Sequence, residues 1–157
     1  MIIAHLPIGY LAARSATTLG APHLVFLGIL AGSVAPDLDM LWFLLVDHGS
    51  THHHDYLTHR PVLWAALGAA GLLIRTPLLW AIAAGALIHL ALDSIAGQIA
   101  WAWPISDASL TLVHVPATQS HWVLSFLLHW TFGIELLVTI FAGILALRAN
   151  LPRGRDQ

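Results

Sequence analysis

The chain has 157 residues, a length that favours one domain and suffices for four or five membrane-crossing helices with short connections. Hydrophobic residues make up 58% of it and charged residues only 9%, where soluble domains carry about a quarter charged residues, so the composition predicts a chain in contact with lipid. The absence of cysteine excludes disulfides, zinc–thiolate sites, iron–sulfur clusters and thiol nucleophiles, and a net charge of −2 gives no basic surface for nucleic acid.

Five hydrophobic runs follow one another along the chain and predict helices: Ile2–Ala13, Leu24–Val46, Val62–Ile74, Leu78–Ala96 and Trp122–Leu147. The second, fourth and fifth are long enough to cross a bilayer, whereas the first and third are shorter than the ~20 residues that a crossing needs and should form partial helices. We expect an all-α fold, a polytopic membrane helix bundle of four to five hydrophobic helices. Residues 1–150 should form one integral-membrane domain, and residues 151–157 a short polar cytoplasmic tail.

The arginines orient this bundle, because cytoplasmic loops of membrane proteins carry the basic excess. If the runs alternate in direction, one side receives five of the six arginines, which are Arg14, Arg75, Arg148, Arg153 and Arg155. That side, with the carboxyl terminus, should be cytoplasmic. We therefore expect a protein integral to the bacterial inner membrane. Its amino terminus and the loop after the second run, which is rich in histidine, should lie on the outer side.

Two carboxylates interrupt the second run at Asp37 and Asp39, directly after Pro36. A charged side chain inside a membrane span costs about 2.5–3.5 kcal/mol on insertion scales, so both should face the protein interior and a partner. Pro36 can also kink the helix and open space for a ligand. A polar pair that only locks helix packing is the alternative.

His89 and Asp93 lie four residues apart in the fourth run, which places them on one helix face. They can bind one metal ion together, or act as a ligand and the carboxylate that orients it. A simple His–Asp hydrogen bond is the alternative.

The loop after the second run contains three adjacent histidines, residues 52–54, and then His59 and Arg60. Three adjacent histidines cannot all point inward, so we expect one or two of them at most to be ligands, and His59 is the best candidate in the loop. Arg60 falls on the predicted outer side, where the positive-inside rule expects few basic residues. This placement suggests that it holds an anion such as a phosphate oxygen. A lone exposed arginine at a helix start is the alternative.

Residues from four segments thus fall in the outward half of the bundle, namely His5, Asp37, Asp39, His59, His89 and Asp93. Histidine and carboxylate ligands without sulfur suit Zn, Mn, Fe or Ni, and a carboxylate-rich site leans toward Mn or Mg. The supply of ligands suffices for two ions. The sequence contains no Gly-x-Ser-x-Gly elbow, lysine or His-Glu-x-x-His helix, which leaves metal-activated water as the nucleophile.

In this order, the residues resemble the YdjM-like family of membrane-bound metal-dependent hydrolases. Over residues 1–106, the matching pieces are His5 in HLPIGY, Pro36-Asp37-x-Asp39, His54-x-x-x-Thr58-His59, and His89-x-x-x-Asp93-Ser94 followed by Trp103-Pro104-x-Ser106. The family is distantly similar to zinc-dependent phospholipase C and P1-type nucleases, which hydrolyse phosphoesters with His and Asp ligands on helices. By this resemblance the metal ligands would be His5, Asp37, His59, His89 and Asp93, and we expect catalytic roles for Asp39 and Arg60.

The chain departs from these relatives at two places. Family members often carry Arg where this chain has Asp55, and the soluble phosphoesterases complete their cluster with a His-x-x-x-Glu segment. Here His129 and Glu135 lie six residues apart, and His121 or His129 could supply a further ligand.

The resemblance implies a membrane-embedded metal-dependent hydrolase, acting through metal-activated water on phosphoester bonds of a lipid or lipid-linked substrate. We expect one or two divalent ions, with zinc best suited and Mn or Mg as alternatives, membrane lipid as the partner and no nucleic acid. The same residues would also fit a metal-ion or proton transporter, although a transport path needs polar groups at successive depths. A non-enzymatic membrane scaffold with a structural metal site is the third alternative.

Overall fold

The computed structural model describes residues 3–150 of the chain, and over these residues it is helical, as predicted, without a β-strand. Within these described residues, seven α-helices are joined by loops and short 3₁₀ turns. In chain order they are α1 (His5–Thr18), α2 (His23–Gly32), α3 (Asp39–Leu45), α4 (Pro61–Leu73), α5 (Pro77–Ala96), α6 (Trp122–Leu127) and α7 (Trp130–Asn150). The tail predicted over residues 151–157 lies outside the described residues.

Two of the described helices are long and apolar enough to cross a membrane, α5 and α7. The α2 helix and the segment Pro36–Leu45 form a third candidate if the two are one bent span. By length and composition, the described residues thus support two or three spans, compared with the three runs expected to cross, and do not confirm a bundle of four to five hydrophobic helices. Large apolar side chains such as Leu137 and Leu147 lie exposed along α7, which suits contact with lipid.

The second hydrophobic run is bent by 48° where Pro36 interrupts it, as the sequence predicts. Proline has no amide hydrogen for the helical ladder, so α2 ends at Gly32, residues 36–38 form a 3₁₀ turn and the chain becomes α-helical again at Asp39. The bend brings the 36–38 turn against α5. Asp37 and Asp39 therefore lie at the bend, not inside a continuous helix.

The fifth run is broken too, although it contains no proline at the break. The α6 helix ends at Leu127 and α7 begins at Trp130. Nδ1 of His129 lies 2.9 Å from the Thr131 hydroxyl, and this local side-chain bond competes with the backbone ladder at the junction. The expected single helix over Trp122–Leu147 is therefore two helices.

The α2 and α5 helices pack backbone to backbone through glycines. A Cβ atom on Gly32 would lie 2.0 Å from the carbonyl oxygen of Ile82, and one on Gly85 would lie 2.2 Å from that of Ile29. Only glycine permits so close an approach. The contact sets the register of α5 against the end of α2, so that Nδ1 of His89 lies 2.9 Å from the carbonyl oxygen of Ser33.

This packing predicts that Gly85→Ala destabilises the protein by about 3 kcal/mol or more, because the added methyl group must push the two backbones apart. Gly133→Ala on α7 is the matched control, since a Cβ there meets no atom within 4 Å and alanine has the higher helix propensity. Denaturant unfolding of the detergent-solubilised protein measures both. Equal stability of the two variants would contradict the close packing of α2 and α5.

Candidate metal centre

The five side chains predicted to bind metal lie together where α1 begins, α5 ends and the bend after α2 packs against them. Nε2 of His5 lies 3.0 Å from Oδ1 of Asp93, and Nε2 of His89 lies 3.0 Å from Oδ2 of the same carboxylate. On the other side, Oδ1 of Asp37 lies 3.5 Å from Nε2 of His89 and 3.8 Å from Nε2 of His59. We refer to these five residues as the His/Asp cluster.

Each member comes from a different local structure, apart from the pair on α5. His5 is the first residue of α1, Asp37 lies in the 3₁₀ turn after Pro36, and His59 ends the 3₁₀ turn before α4. His89 and Asp93 lie one turn apart on α5, as their spacing predicts. The rings of His5 and His89 stack with centroids 3.8 Å apart.

Four members of the cluster are buried, while the side chain of Asp37 is 40% exposed. Nδ1 of His5 and Nε2 of His59 are buried and make no hydrogen bond within the described part of the chain. Both instead face carboxylate oxygens at 3.7–3.9 Å. Because buried polar atoms are nearly always hydrogen-bonded, these nitrogens need another partner.

A cation would supply that partner. A tetrahedral zinc ion with bonds of about 2.0–2.1 Å separates its ligand atoms by about 3.4 Å. This value lies within the range of 3.0–3.9 Å between nitrogen and oxygen atoms of the cluster. Imidazole nitrogen and carboxylate oxygen are also the donors that zinc and manganese accept. The cluster therefore fits a divalent metal ion.

Two imidazoles of the cluster are oriented by a hydrogen bond from the ring nitrogen that faces away from the cluster, as metal-binding histidines usually are. Nδ1–H of His89 donates to the carbonyl oxygen of Ser33, and Nδ1–H of His59 donates to Oδ2 of Asp39 at 2.7 Å. In this tautomer the lone pair of each Nε2 points into the cluster. The Thr58 hydroxyl also donates to Asp39, so this carboxylate acts through His59 and is a positioning residue in our interpretation.

Asp39→Asn should weaken zinc binding by about 10–100-fold, because the neutral amide orients His59 less firmly and makes it less basic. Competition for zinc with a chromophoric chelator measures the affinity. Asp107→Asn, in an exposed loop, is the matched control. An Asp39 variant that is less stable without metal but keeps its zinc affinity would contradict a positioning role.

Arg60 contacts other groups than the cluster. Its Nη2 donates to the carbonyl oxygen of Asp55 at 3.0 Å and lies 3.5 Å from Oδ1 of the same residue, and its guanidinium lies over the Trp103 ring at 5.7 Å. Asp55 thus pairs with the arginine that follows it in the loop. The catalytic role of Arg60 stays a prediction.

Two of the adjacent histidines, His53 and His54, lie beside the His/Asp cluster, and their role as ligands stays a prediction. His54 groups with His59 and Asp93, and His53 groups with Asp37 and His59, with donor atoms within 4.8 Å of one another. Burial and the neighbouring His53 lower the pKa of His54 to about 3, and burial also lowers the pKa of His53. Both rings are therefore neutral near pH 7, the form that binds cations.

Asp47 holds the beginning of this His-rich loop. Its carboxylate accepts hydrogen bonds from the Ser50 and Tyr56 hydroxyls and from the amide of Thr51. These donors lower the pKa of Asp47 to about 2. The carboxylate is therefore ionised throughout the neutral range and fixes the turn that leads to residues 52–54.

The later candidates have other partners. Nδ1 of His121 accepts from the amide of Val123 at the start of α6, and His129 contacts Thr131. The carboxylate of Glu135 is buried and accepts from the amides of Ile3 and Ala4 at 2.7 and 3.2 Å. Glu135 thus ties α7 to the residues directly before His5, and none of the three belongs to a donor group in the described part of the chain.

Comparison of the chain with protein-family models, with curated proteins and with solved structures finds no match. The interpretation of the centre therefore rests on its geometry and chemistry. The resemblance to the YdjM-like family stays a prediction from the motifs.

Proposed function

We propose that the protein is a membrane-embedded metal-dependent hydrolase that cleaves phosphoester bonds of a lipid or lipid-linked substrate. The observation that carries this proposal is the His/Asp cluster, in which buried imidazole nitrogens without hydrogen bonds face carboxylate oxygens. A zinc, manganese or magnesium ion bound there would lower the pKa of a water molecule toward neutrality and stabilise negative charge on an attacked phosphoryl group. Zinc suits the imidazole-rich donor set best.

In the proposed reaction, the residues of the centre have three roles: they bind the metal, orient its ligands and admit water and substrate. The imidazoles of the His/Asp cluster and its carboxylates supply the metal ligands, and Asp39 and Ser33 keep the rings of His59 and His89 in the required tautomer. The half-exposed carboxylate of Asp37 marks the side from which water and substrate reach the buried members. In the hydrolysis, water adds hydroxide to phosphorus, the ester P–O bond breaks, and the departing oxygen receives the proton.

A cavity beside the cluster supports a substrate with an apolar part. It has a volume of about 660 Å³, and its walls include two histidines, His53 and His54, and three aromatic side chains, Phe43, Trp122 and Phe126. The volume lies in the range of cavities that hold ligands of moderate size. An apolar chain in this cavity would bring an attached phosphate to the histidines, an arrangement that favours a lipid over a sugar phosphate.

The arginines support the proposed orientation. Arg14 lies in the second half of α1, Arg75 lies in the connection between α4 and α5, and Arg148 lies in the last turn of α7. The cluster, by contrast, is formed at the start of α1 and the end of α5. By the positive-inside rule, the cluster would face the outer side of a bacterial inner membrane and the carboxyl terminus the cytoplasm. Arg153 and Arg155 lie outside the described residues.

The proposal predicts metal-dependent hydrolysis of phospholipid or polyprenyl phosphate substrates by the protein in nanodiscs, measured as release of the water-soluble product that carries the phosphoryl group. We expect kcat/KM for a long-chain lipid to exceed that for a short-chain analogue with the same headgroup by about tenfold or more, because each buried methylene contributes about 0.8 kcal/mol. A zinc-loaded protein that is inert toward a broad panel of phosphoesters would contradict it.

The cavity is tested with Phe126→Ala, which should raise KM for the long-chain substrate and leave turnover of the short-chain analogue unchanged. Phe141→Ala, at an exposed position of α7, is the matched control. An equal loss with both substrates would contradict the binding of an apolar chain in the cavity.

A further inference from the structure

We infer that the centre binds two divalent cations and that His54 is a ligand of the second. The inference rests on the proposed function and specifies its metal centre. It begins from two groups of donors that share no residue, one made of His5, Asp37 and His89, the other of His54, His59 and Asp93.

Each group has the composition of a separate site. In both, two imidazoles and one carboxylate lie with their donor atoms within 4.8 Å of one another. A tetrahedral ion accepts four ligands, so one zinc ion cannot use all six donors and also keep a position for water. A second ion gives each group of three its own open position.

The two groups also touch through their carboxylates. Oδ2 of Asp93 lies 3.0 Å from Nε2 of His89 in the first group, and Oδ1 of Asp37 lies 3.8 Å from Nε2 of His59 in the second. Each carboxylate therefore faces histidines of both groups. This is the arrangement in which a carboxylate can bridge neighbouring ions.

The charges of the centre point the same way. Asp37, Asp39 and Asp93 place three carboxylates in and beside the cluster, and one divalent ion carries fewer positive charges than these carboxylates carry negative charges when ionised. A second ion raises the charge of the centre by two units, which strengthens its attraction for an anionic phosphoester. Arg60 does not change this balance, since its guanidinium contacts Asp55.

The fold makes room for His54 at the end of α5. Its Nε2 lies 3.8 Å from Oδ2 of Asp93, and a Cβ atom on Gly97 would lie 2.4 Å from its Cε1. Glycine at position 97 is therefore required for the ring to reach the cluster. The amide of Gln98 lies 3.5 Å from Nδ1, too far to fix the tautomer of the ring.

The test is the stoichiometry of metal binding by the full chain in detergent, with zinc measured by elemental analysis after equilibrium dialysis. We expect two ions per wild-type chain and one per His54→Ala chain. Gly97→Ala, which displaces the ring and keeps all six donors, should weaken the second ion about 100-fold and leave the first unchanged. The exposed His114→Ala is the control and should retain two.

Manganese gives an independent reading, because two ions in a paired site lie about 3.5–4 Å apart and couple magnetically. The wild-type protein should show a coupled electron paramagnetic resonance spectrum, and His54→Ala the six-line spectrum of an isolated ion. One ion per wild-type chain would overturn the inference and leave the proposed function standing, whereas no bound ion would overturn both. Loss of both ions in His54→Ala and in Gly97→Ala would place His54 in a single centre and also overturn it.

Discussion

His89→Ala should abolish tight zinc binding by the His/Asp cluster and lower metal-dependent hydrolysis by more than the ~10–100-fold typical of an orienting partner. The ring is fully buried, and its Nδ1–H donates to the Ser33 carbonyl, so the lone pair of Nε2 can only face the carboxylates of Asp37 and Asp93. Alanine removes this donor and leaves a cavity that no neighbouring ligand fills.

The matched control is His23→Ala, because His23 is exposed at the start of α2, the opposite end of the helix from the cluster. Zinc affinity and hydrolysis of the lipid substrate should be unchanged in that variant. Both variants are compared by chelator competition and by release of the water-soluble product from a lipid substrate. Full activity of His89→Ala would contradict the assignment of the ion to this cluster.

Asp93→Asn should have the second large effect, because its carboxylate lies within 4 Å of four imidazoles, those of His5, His54, His59 and His89. The amide keeps the volume but removes the charge that binds the cation. For the wild-type protein, zinc at one hundred times its Kd should stabilise the fold by about 2.7 kcal/mol. Asp93→Asn should show almost none of this stabilisation.

Thermal unfolding with and without zinc measures this difference, and the metal-free proteins report whether the variant is folded. Asp107→Asn is again the control. An equal zinc-induced shift in Asp93→Asn would contradict its role as a ligand. Zinc or proton flux into proteoliposomes that is lost in this variant would instead identify the transporter that the sequence left as an alternative.

The parts of the fold that follow from local rules could be predicted. The i,i+4 spacing of His89 and Asp93 and the kink at Pro36 depend only on helix geometry and on the missing amide of proline. The approach of His5 to this pair follows from the alternation of helix directions. These features place the five residues in the same half of the bundle, and the resemblance to the YdjM-like family implies that they are the metal ligands.

Other parts of the fold depend on single contacts between side chains, which leave no repeating pattern in the sequence. The break before α7 follows from a bond between His129 and Thr131 inside an apolar run, which hydropathy cannot reveal. The 3₁₀ turn after Pro36 directs Asp39 behind His59, whereas Asp37 faces the cluster. The three adjacent histidines and the His54-x-x-x-Thr58-His59 spacing both pointed to this loop, but the position of His54 depends on the close approach of Gly97.

The most direct measurement is the zinc K-edge X-ray absorption spectrum of the zinc-loaded protein. We expect nitrogen and oxygen ligands at about 2.0–2.1 Å, with outer-shell scattering from at least two imidazoles per ion and less of it in His89→Ala. Retained zinc without imidazole scattering, or a spectrum identical in His89→Ala, would contradict the binding of zinc by the His/Asp cluster.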